Sequence, residues 1–370
     1  MHIKRIEISK LNVPTHHPVR LPIGLVDGAR NVIVKIVTQS GIVGWGEASP
    51  FQPVTKDTQD SNAETALTIA RQLLGKDARL IAKHVADMQT MAKHEPSIRS
   101  AFDMALYDIA AKAENLPLYK FLGGTRRELR TNLTIGLQDS VAQTLTRAEE
   151  ILGAGFNAIK MKTGRSGLKD IPHIKAVRAL AGTDMLIKID SNQGWDYETA
   201  LAALKALAPY NLQYAEQPLP AHDIDGLAKL KQLVALPICA DESVFDDADA
   251  QEILARGAAD YLNIKLGKSG GIHTALKIDE IGLAAGAKSM IGCFAETRLG
   301  LSAGAHFAMA RPNIVFIDLD SAFDFKHDPV IGGMRFDEKT GGLLHLPGTA
   351  GHGASIDERA LLPNSTTIIG

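Results

Sequence analysis

The chain has 370 residues, of which 45% are hydrophobic and 22% are charged, and its formal net charge is −2 at pH 7. This length predicts one or two domains. The slight negative charge argues against a nucleic-acid-binding surface, which normally carries a basic excess. The sequence contains no apolar run of about 18 residues, so no membrane span is expected.

The N-terminus and the cysteine content point to a cytoplasmic protein. Residues 1–7 lack the apolar core of a secretory signal. The sequence contains only two cysteines, Cys239 and Cys293, and each lies in an apolar run. We therefore expect reduced, buried thiols, with a single disulfide as the alternative.

The first part of the chain predicts strands followed by a helix. Apolar and polar side chains alternate over residues 3–8 and 32–37, and Ser40-Gly41 forms a turn into residues 42–47, which indicates an antiparallel meander. From Ile98 to Ile109 apolar residues recur at helical spacing, and Pro96-Ser97 is a helix start signal.

From about residue 131 short strands alternate with amphipathic helices. Eight strand–helix units in succession favour a (β/α)-type barrel. An open doubly wound sheet is the alternative, although no Gly-rich dinucleotide loop follows the first strand. The predicted strands are residues 132–136, 158–162, 186–190, 213–216, 238–241, 261–265, 289–292 and 314–318.

The strand–helix alternation stops after Asp320, where Gly and Pro pairs mark an irregular tail. Such a tail can run back to the N-terminal strands and complete that domain. We therefore predict an α+β capping domain at residues 1–125, a barrel at 126–320 and a returning C-terminal segment at 321–370.

Three consecutive predicted strands each end in a carboxylate, namely Asp190, Glu216 and Asp241. In a barrel these strand ends surround one mouth, where active sites of this architecture lie. Oxygen-only ligands suit a hard cation, Mg²⁺ before Mn²⁺. The structural alternative is that these acids cap helices or form turns. Their succession in three units, flanked by lysines, favours the metal site.

Lysines end the strands on either side of the three carboxylates. Lys162 precedes them by one strand and Lys265 follows by one strand, so the two lysines should face each other across the metal. Two bases on opposite sides of one carbon allow racemisation or epimerisation. Each base requires a near-neutral pKa, and we expect Mg²⁺ and Lys160 to lower it. A salt-bridged pair at a strand end is the structural alternative for Lys160 and Lys162.

The chemistry explains why lysines and a cation belong together. A proton alpha to a carboxylate is weakly acidic, and its removal produces an enediolate with a second negative charge. A divalent cation stabilises that charge, and a lysine base with Mg²⁺ is the enolase-type combination.

These residues resemble the enolase superfamily, specifically its muconate-lactonising-enzyme subgroup. The resemblance covers essentially the whole chain and implies a (β/α)₇β barrel with an α+β cap formed by both chain ends. It also implies that Lys162 and Lys265 are the acid/base pair and that Lys160 supports the first base or the substrate carboxylate. The motifs that carry it are residues 44–47, 101–108, 117–119, 123–124, 160–162, 190–195, 216–218, 240–243, 263–265 and 270–271.

Within this subgroup, Asp318 and Asp320 resemble the D-x-D of dipeptide epimerases, where both carboxylates bind the free ammonium of the substrate. Paired carboxylates suit a cation; the structural alternative is that they cap the following turn. By the same resemblance Thr134 contacts the substrate, and Glu296 either supports the site or pairs with Arg298.

The predicted cap loop at residues 20–25 departs from one member of the family. Ala-Glu epimerases carry an arginine where this chain has Gly24, and Arg20 or Arg30 would have to replace it from a shifted position. The loop is apolar, which favours a small or hydrophobic dipeptide. Phe51, Pro53 and Thr55 in a second loop are candidates to close the pocket.

The sequence therefore predicts a Mg²⁺-dependent dipeptide epimerase acting on the C-terminal residue, in a homo-oligomer. N-acylamino-acid racemisation, o-succinylbenzoate synthesis and muconate cycloisomerisation are alternatives on the same fold, and their substrates lack a free ammonium. A barrel that binds without catalysing is a third hypothesis, which the complete set of ligands and lysines disfavours.

Overall fold

The computed structural model describes residues 1–370. Its N-terminal part is an antiparallel sheet covered by helices. The elements are β1 (Ile3–Leu21), β2 (Gly24–Thr38), β3 (Val43–Ala48), α1 (Gln52–Thr55), α2 (Gln59–Leu73), α3 (Ile81–Met91), α4 (Pro96–Ala113) and α5 (Leu118–Phe121).

The first two strands form a long hairpin. β1 pairs with β2 from Ile3 to Leu21, where Leu21 lies opposite Gly24. The sequence predicted a short strand and a separate loop at residues 20–25, and this was wrong because strand pairing continues to the tip across an irregularity after Pro14. The hairpin tip therefore projects from the sheet as a two-residue turn.

The second part of the chain alternates strands and helices as predicted. The strands are β4 (Leu133–Ile135), β5 (Ala158–Lys162), β6 (Leu186–Asp190), β7 (Leu212–Glu216), β8 (Ile238–Ala240), β9 (Tyr261–Ile264), β10 (Lys288–Ile291) and β11 (Ile314–Ile317). The helices are α6 (Val141–Gly153), α7 (Ile171–Ala181), α8 (Tyr197–Leu207), α9 (Ile224–Leu233), α10 (Asp247–Ala255), α11 (Leu266–Ser269), α12 (Ile272–Ala284) and α13 (Arg298–Ala310).

These eight strands form a parallel sheet in chain order from β4 to β11. A parallel bridge between Thr131 and Ile317 joins its two edges, so the sheet curls into a barrel. The open doubly wound alternative is therefore excluded. Asp241, Lys265 and Asp318 lie one residue beyond their strands rather than at the last position.

The C-terminal segment forms short strands and returns to the N-terminal sheet. β16 pairs antiparallel with β1, which gives the sheet order β16-β1-β2-β3. The strands are β12 (Val330–Gly332), β13 (Arg335–Phe336), β14 (Leu344–His345), β15 (Ala354–Ile356) and β16 (Thr367–Ile369), and single 3-10 turns occupy Ala208–Tyr210, Ser321–Asp324 and Glu358–Ala360.

The two parts have separate cores. One cluster of 56 buried hydrophobic residues fills the barrel region, and another of 21 lies between the N-terminal sheet and helices α2 to α4. Polar contacts join the parts. Glu47 on β3 accepts hydrogen bonds from the N–H groups of Thr297 and Gly300 at the start of α13, at 3.0 and 2.8 Å. This junction fixes the sheet and its hairpin over the barrel mouth.

None of the helices is long and apolar enough to cross a membrane. Both cysteines are free thiols, so the disulfide alternative does not occur.

The backbone of β3 packs directly against α4, which requires glycine on the strand. A Cβ atom at Gly46 would lie 1.8 Å from the carbonyl oxygen of Ala101, and one at Gly44 would lie 2.2 Å from that of Ala105. A side chain at either position must push the helix away from the sheet.

We predict that Gly46→Ala lowers the free energy of unfolding by about 1–3 kcal/mol or more, because it overpacks this interface. Urea denaturation measures the change. Gly153→Ala is the matched control, since a Cβ at this helical position meets nothing within 4 Å. An equal effect of both substitutions would contradict the packing argument.

Candidate active site

In or next to seven of the eight strands, side chains two residues apart point into the barrel and form two layers. On β5 these are Lys160 below and Lys162 above, and on β6 they are Lys188 and Asp190. The remaining pairs are Asn132 and Thr134, Tyr214 and Glu216, Cys239 and Asp241, Asn263 and Lys265, and Asp318 and Asp320. The upper layer lies at the barrel mouth.

Lys160 lies at the centre of this arrangement. Its ammonium group is 2.9 Å from Asp190 Oδ2, 2.9 Å from Glu216 Oε2 and 2.7 Å from Asp318 Oδ2. Burial alone would lower the pKa of Lys160, but the three carboxylates raise it well above its usual value. Lys160 is therefore a fixed positive charge rather than a proton acceptor.

Lys162 and Lys265 lie on opposite sides of the cluster formed by the carboxylates of Asp190, Glu216 and Asp241. Lys162 Nζ donates to Asp190 Oδ2 at 2.6 Å and to Asn192 Oδ1 at 3.0 Å. Lys265 Nζ donates to Asp241 Oδ2 at 2.7 Å. Burial lowers the pKa of Lys265, but Asp241 outweighs it and the net shift is upward. The carboxylate in direct contact therefore decides the direction of this shift.

Asp190, Glu216 and Asp241 are all fully buried. Asp190 and Glu216 are direct neighbours in the register of β6 and β7. Glu216 Oε1 accepts a hydrogen bond from Asn263 Nδ2 at 2.7 Å, whereas Oε2 lies 2.9 Å from Lys160 Nζ in an ion pair. Burial and the nearby Asp190 raise the pKa of Glu216 to about 7. Carboxylates this close require positive charge to remain ionised together.

The donor set fits a hard divalent cation, since it consists of carboxylate oxygens from three neighbouring strand ends, and only the ammonium of Lys160 contacts the buried Oε2 of Glu216. In this structure the lysine ammonium groups contact the same oxygens. For that reason no group of three or more acidic, histidine or cysteine side chains is arranged to hold a metal ion as it stands. A bound cation would compete with Lys160, Lys162 and Lys265 for these oxygens.

Asp318 and Asp320 lie at the end of β11 with different partners. Asp318 accepts hydrogen bonds from Lys160 and from Asn132 Nδ2 at 2.7 and 2.6 Å. Burial would raise the pKa of Asp318, but Lys160 and Lys188 hold it below its usual range. Asp320 accepts a 2.6 Å hydrogen bond from Thr134 Oγ1 and has no ion pair, and burial together with Asp318 raises its pKa to about 6.

A cavity of about 540 Å³ opens above these groups. The barrel side of its wall contains both candidate bases, Lys160, Thr134, Asp318 and Asp320. The N-terminal sheet and its loops supply the other side, which includes Gly24 at the hairpin tip. The apolar residues on that side are Val19, Leu21, Leu25, Val26, Phe51, Pro53 and Val54.

The aromatic part of the wall lies beside Lys265. The rings of Phe51 and Phe294 are 5.9 Å apart, and Lys265 Nζ is 4.8 Å from the centroid of Phe294. Of the second-loop candidates, Phe51 and Pro53 line the cavity whereas Thr55 hydrogen bonds to Phe51 and Asp57. Arg30 also lines it, but it pairs with Asp27, and Arg20 pairs with Asp139.

Glu296 is buried but does not line this cavity. Its carboxylate accepts a hydrogen bond from the N–H of Phe294 at 3.4 Å, and Arg298 pairs with Asp328 instead. The Arg298 pairing considered from the sequence was therefore wrong.

Several polar residues of the site were missed from the sequence. Lys268 donates to Asp241 Oδ1 at 2.7 Å, and Asn192 Nδ2 donates to Glu242 Oε1 at 3.0 Å. Asn132 could have been found because it lies two residues before Thr134 and therefore on the same strand face. Lys268 lies on α11, outside the strand pattern, so no period-two signal identifies it.

Two family descriptions match the chain. "Mandelate racemase / muconate lactonizing enzyme, N-terminal domain" matches residues 5–123, and "Enolase C-terminal domain-like" matches residues 143–360. The chain belongs to the enolase superfamily. The resemblance inferred from the sequence motifs is thereby confirmed.

This enolase-superfamily protein is similar to several characterised relatives. It is 36% identical to the hydrophobic dipeptide epimerase of Enterococcus faecalis, over 96% of this chain and 100% of the relative. It is 37% identical to the D-Ala-D/L-Ala epimerase of Cytophaga hutchinsonii, over 96% of each chain.

Among solved structures, the dipeptide epimerase from Cytophaga hutchinsonii complexed with Mg and D-Ala-L-Val superposes with a TM-score of 0.96 at 35% identity. The match covers 100% of both chains.

The buried carboxyl of Glu296 generates a pH prediction. Burial and Glu47 raise the pKa of Glu296 to about 8, so the folded state binds its proton more tightly than the unfolded state. Stability should then fall as pH rises from about 4.5 to about 8. Glu296→Gln stays neutral at every pH. We predict that this variant loses about 2–4 kcal/mol less unfolding free energy than wild type over the same pH range.

Urea unfolding at a series of pH values measures this slope. Glu338→Gln at an exposed position is the control and should leave the wild-type slope unchanged. A parallel profile for Glu296→Gln and wild type would show that Glu296 is ionised in the folded protein.

Proposed function

We propose that the protein is a Mg²⁺-dependent dipeptide epimerase, an isomerase that inverts the alpha carbon of the C-terminal residue by 1,1-proton transfer through an enediolate. The observation that carries this proposal is one cavity lined by two opposed lysines, Lys162 and Lys265, together with the acidic pair Asp318 and Asp320. The relatives described above as dipeptide epimerases support it, as does the solved complex of one of them with Mg and a dipeptide.

In this proposal Asp190, Glu216 and Asp241 hold Mg²⁺. Bound there, the cation supplies stabilisation of the negative charge that develops on the substrate carboxylate when the alpha proton leaves. Lys160 contributes a permanent positive charge beside the same carboxylates, which favours binding of the anionic end of the substrate.

Lys162 and Lys265 move the proton. One lysine removes the alpha proton from its face, and the other, in its ammonium form, delivers a proton to the opposite face. Their hydrogen bonds to Asp190 and Asp241 hold each Nζ toward the carboxylate group between them. Competition from a cation for those oxygens would weaken the two ion pairs, which is the direction that makes a lysine a better base.

Asp318 and Asp320 bind the free ammonium group of the dipeptide, with Thr134 orienting Asp320. The charge of Asp318 is already balanced by Lys160, whereas Asp320 has no cationic partner. A substrate ammonium would provide that partner and keep Asp320 ionised. An N-acylated amino acid has no group that could do so.

The cap side of the cavity favours an apolar side chain on the C-terminal residue. Phe51 of the cap packs against Phe294, the barrel residue beside Lys265, and Pro53 and Gly24 add no charge to the cap side. The cationic groups Arg20 and Arg30 are engaged by aspartates. A hydrophobic dipeptide is therefore the proposed substrate class, and Glu296 supports the wall behind it.

We further propose that residues 1–125 and 321–370 form the capping domain and residues 126–320 the barrel. The pairing of β16 with β1 supports the return of the chain end to the cap, whereas Met334, Leu344 and Leu346 pack in the hydrophobic cluster of the barrel. A cytoplasmic homo-oligomer is the proposed state of the protein; the free thiols support the compartment.

The test of this function is alpha-proton exchange. The protein with Mg²⁺ is incubated with a dipeptide library in D₂O, and mass spectrometry detects deuterium at the C-terminal alpha position. We expect exchange in hydrophobic dipeptides, less in Ala-Glu, and loss of exchange on chelation with recovery on adding Mg²⁺. If no dipeptide exchanges, the proposed function is wrong.

We predict that Lys162→Ala and Lys265→Ala each reduce kcat for epimerisation by about 10²–10⁴-fold, the usual contribution of a general acid or base. Each variant should still exchange the alpha proton of one epimer only, because the remaining lysine serves one face. NMR of both epimers in D₂O measures this. Lys169→Ala, at an exposed position, is the control. Equal residual exchange of both epimers would argue against two opposed bases.

We predict that Asp320→Asn lowers kcat/KM for dipeptides by about 10–100-fold, the range expected for a lost charge-assisted hydrogen bond. N-acetyl or N-succinyl amino acids, which carry no ammonium, should not lose activity further. Asp184→Asn, an exposed substitution, controls for net charge. Unchanged dipeptide kinetics would favour the N-acylamino-acid alternative.

A further inference from the structure

A second cavity of about 490 Å³ lies between the N-terminal helices and the barrel. It is on the far side of α1 from the candidate active site, and Pro53, Val54 and Glu242 belong to the walls of both cavities. Its remaining wall comes mainly from the start of α4 and from α11 with the loops around it. The polar residues not discussed so far are Lys56, Gln89, Lys93, His94, Arg99, Gln193, Asp246, Ser269 and Thr274.

Arg99 is the central cation of this second cavity. It lies on α4, is only partly exposed, and its Nε is buried without a hydrogen-bond partner. Burial lowers the pKa of Arg99, and the negative charges of Asp246, Asp57 and Asp103 oppose this shift. None of the three aspartates forms an ion pair with Arg99. A guanidinium that is partly desolvated and unpaired is costly, so its position between cap and barrel calls for an anion.

Further hydrogen-bond donors surround Arg99. Thr274 lines the same wall and carries a hydroxyl group. Exposed Lys56 and Lys93 stand on the rim. Planar guanidinium groups with nearby hydroxyls and lysines are the usual protein ligands for oxyanions.

The acidic residues of the cavity are largely engaged elsewhere. Asp246 Oδ1 accepts hydrogen bonds from the N–H groups of Ala248 and Asp249 at 3.0 and 3.1 Å, so it caps α10. Glu242 Oε1 accepts from Asn192 on the active-site side. The ammonium of Lys268 contacts Asp241 and is not counted among the free cations. Arg99, Lys56 and Lys93 therefore remain for a ligand.

We propose that this second cavity binds a small oxyanion of the phosphate or carboxylate type. The anion would pair with Arg99 and accept hydrogen bonds from the rim lysines and Thr274. Lys56 ends α1, which begins directly after Phe51 of the candidate active site. An anion held by Lys56 and Arg99 would thus fasten α1 to α4 and steady one wall of the first cavity.

The test uses inorganic phosphate and the Mg²⁺-loaded protein at constant ionic strength set with sodium chloride. Thermal unfolding is followed as phosphate is raised. We expect a saturable increase in Tm that sodium chloride alone does not produce. Methyl phosphate and succinate, used as separate arms, distinguish a phosphate ligand from a carboxylate ligand. No saturable increase with any of the three probes overturns the proposal.

Two variants locate the binding. Arg99→Gln should weaken binding of the effective probe by about tenfold or more, the loss expected for a charge-assisted hydrogen bond. Lys93→Gln, at the exposed rim, should weaken binding of the probe less. Because an exposed lysine contributes little to stability, this variant should fold even if Arg99→Gln does not. Arg256→Gln, an arginine paired with Asp225 on the surface, is the charge-matched control and should bind normally. Undiminished binding in whichever of the two cavity variants fold would place the anion elsewhere and overturn the proposal.

Discussion

The buried ion cluster around Lys160 is the interaction on which the barrel mouth depends. One ammonium group lies within 2.9 Å of carboxylates from three different strand ends, Asp190, Glu216 and Asp318. Without positive charge these acids could not remain ionised in a buried space. Lys162 contacts the same oxygen of Asp190 as Lys160 does, and Lys265 and Lys268 pair with the two oxygens of Asp241. The charge pattern thus positions the groups that a proton-transfer enzyme needs, and it leaves Asp320 without a cation of its own.

The cap covers the charged barrel mouth and forms the second side of the cavity. Its hairpin and α1 contribute most of the apolar side chains, whereas the barrel contributes the lysines and the acidic pair. The cap can do so only because it is fixed by buried contacts, such as Glu47 with the start of α13 and Asp103 with the backbone N–H of Ile272 at 2.5 Å. Chemistry and specificity therefore come from different parts of one chain, as is common when a rigid scaffold carries variable loops.

The second cavity also lies between the cap and the barrel. It shares α1 with the first cavity, so a ligand bound on one side of this short helix contacts the element that forms the wall on the other side. Coupling of this kind requires only that the ligand favours one position of a shared element. The unpaired guanidinium of Arg99 distinguishes the cavity from ordinary packing gaps, because charged groups between domains are normally paired.

The sequence by itself determined the barrel, the order of its strands and the residues at their ends. Period-two alternation and regular strand spacing are local properties, so Lys160, Asp190 and Asp318 could be assigned to one mouth before any coordinates. Only the tertiary structure decided which oxygen each lysine contacts and that Glu296 does not line the cavity. It also decided that residues 20–25 are the tip of a hairpin and that Lys268 joins Asp241 from a helix. These features depend on distances between residues far apart in the chain, and strand period and residue type carry no information about such distances.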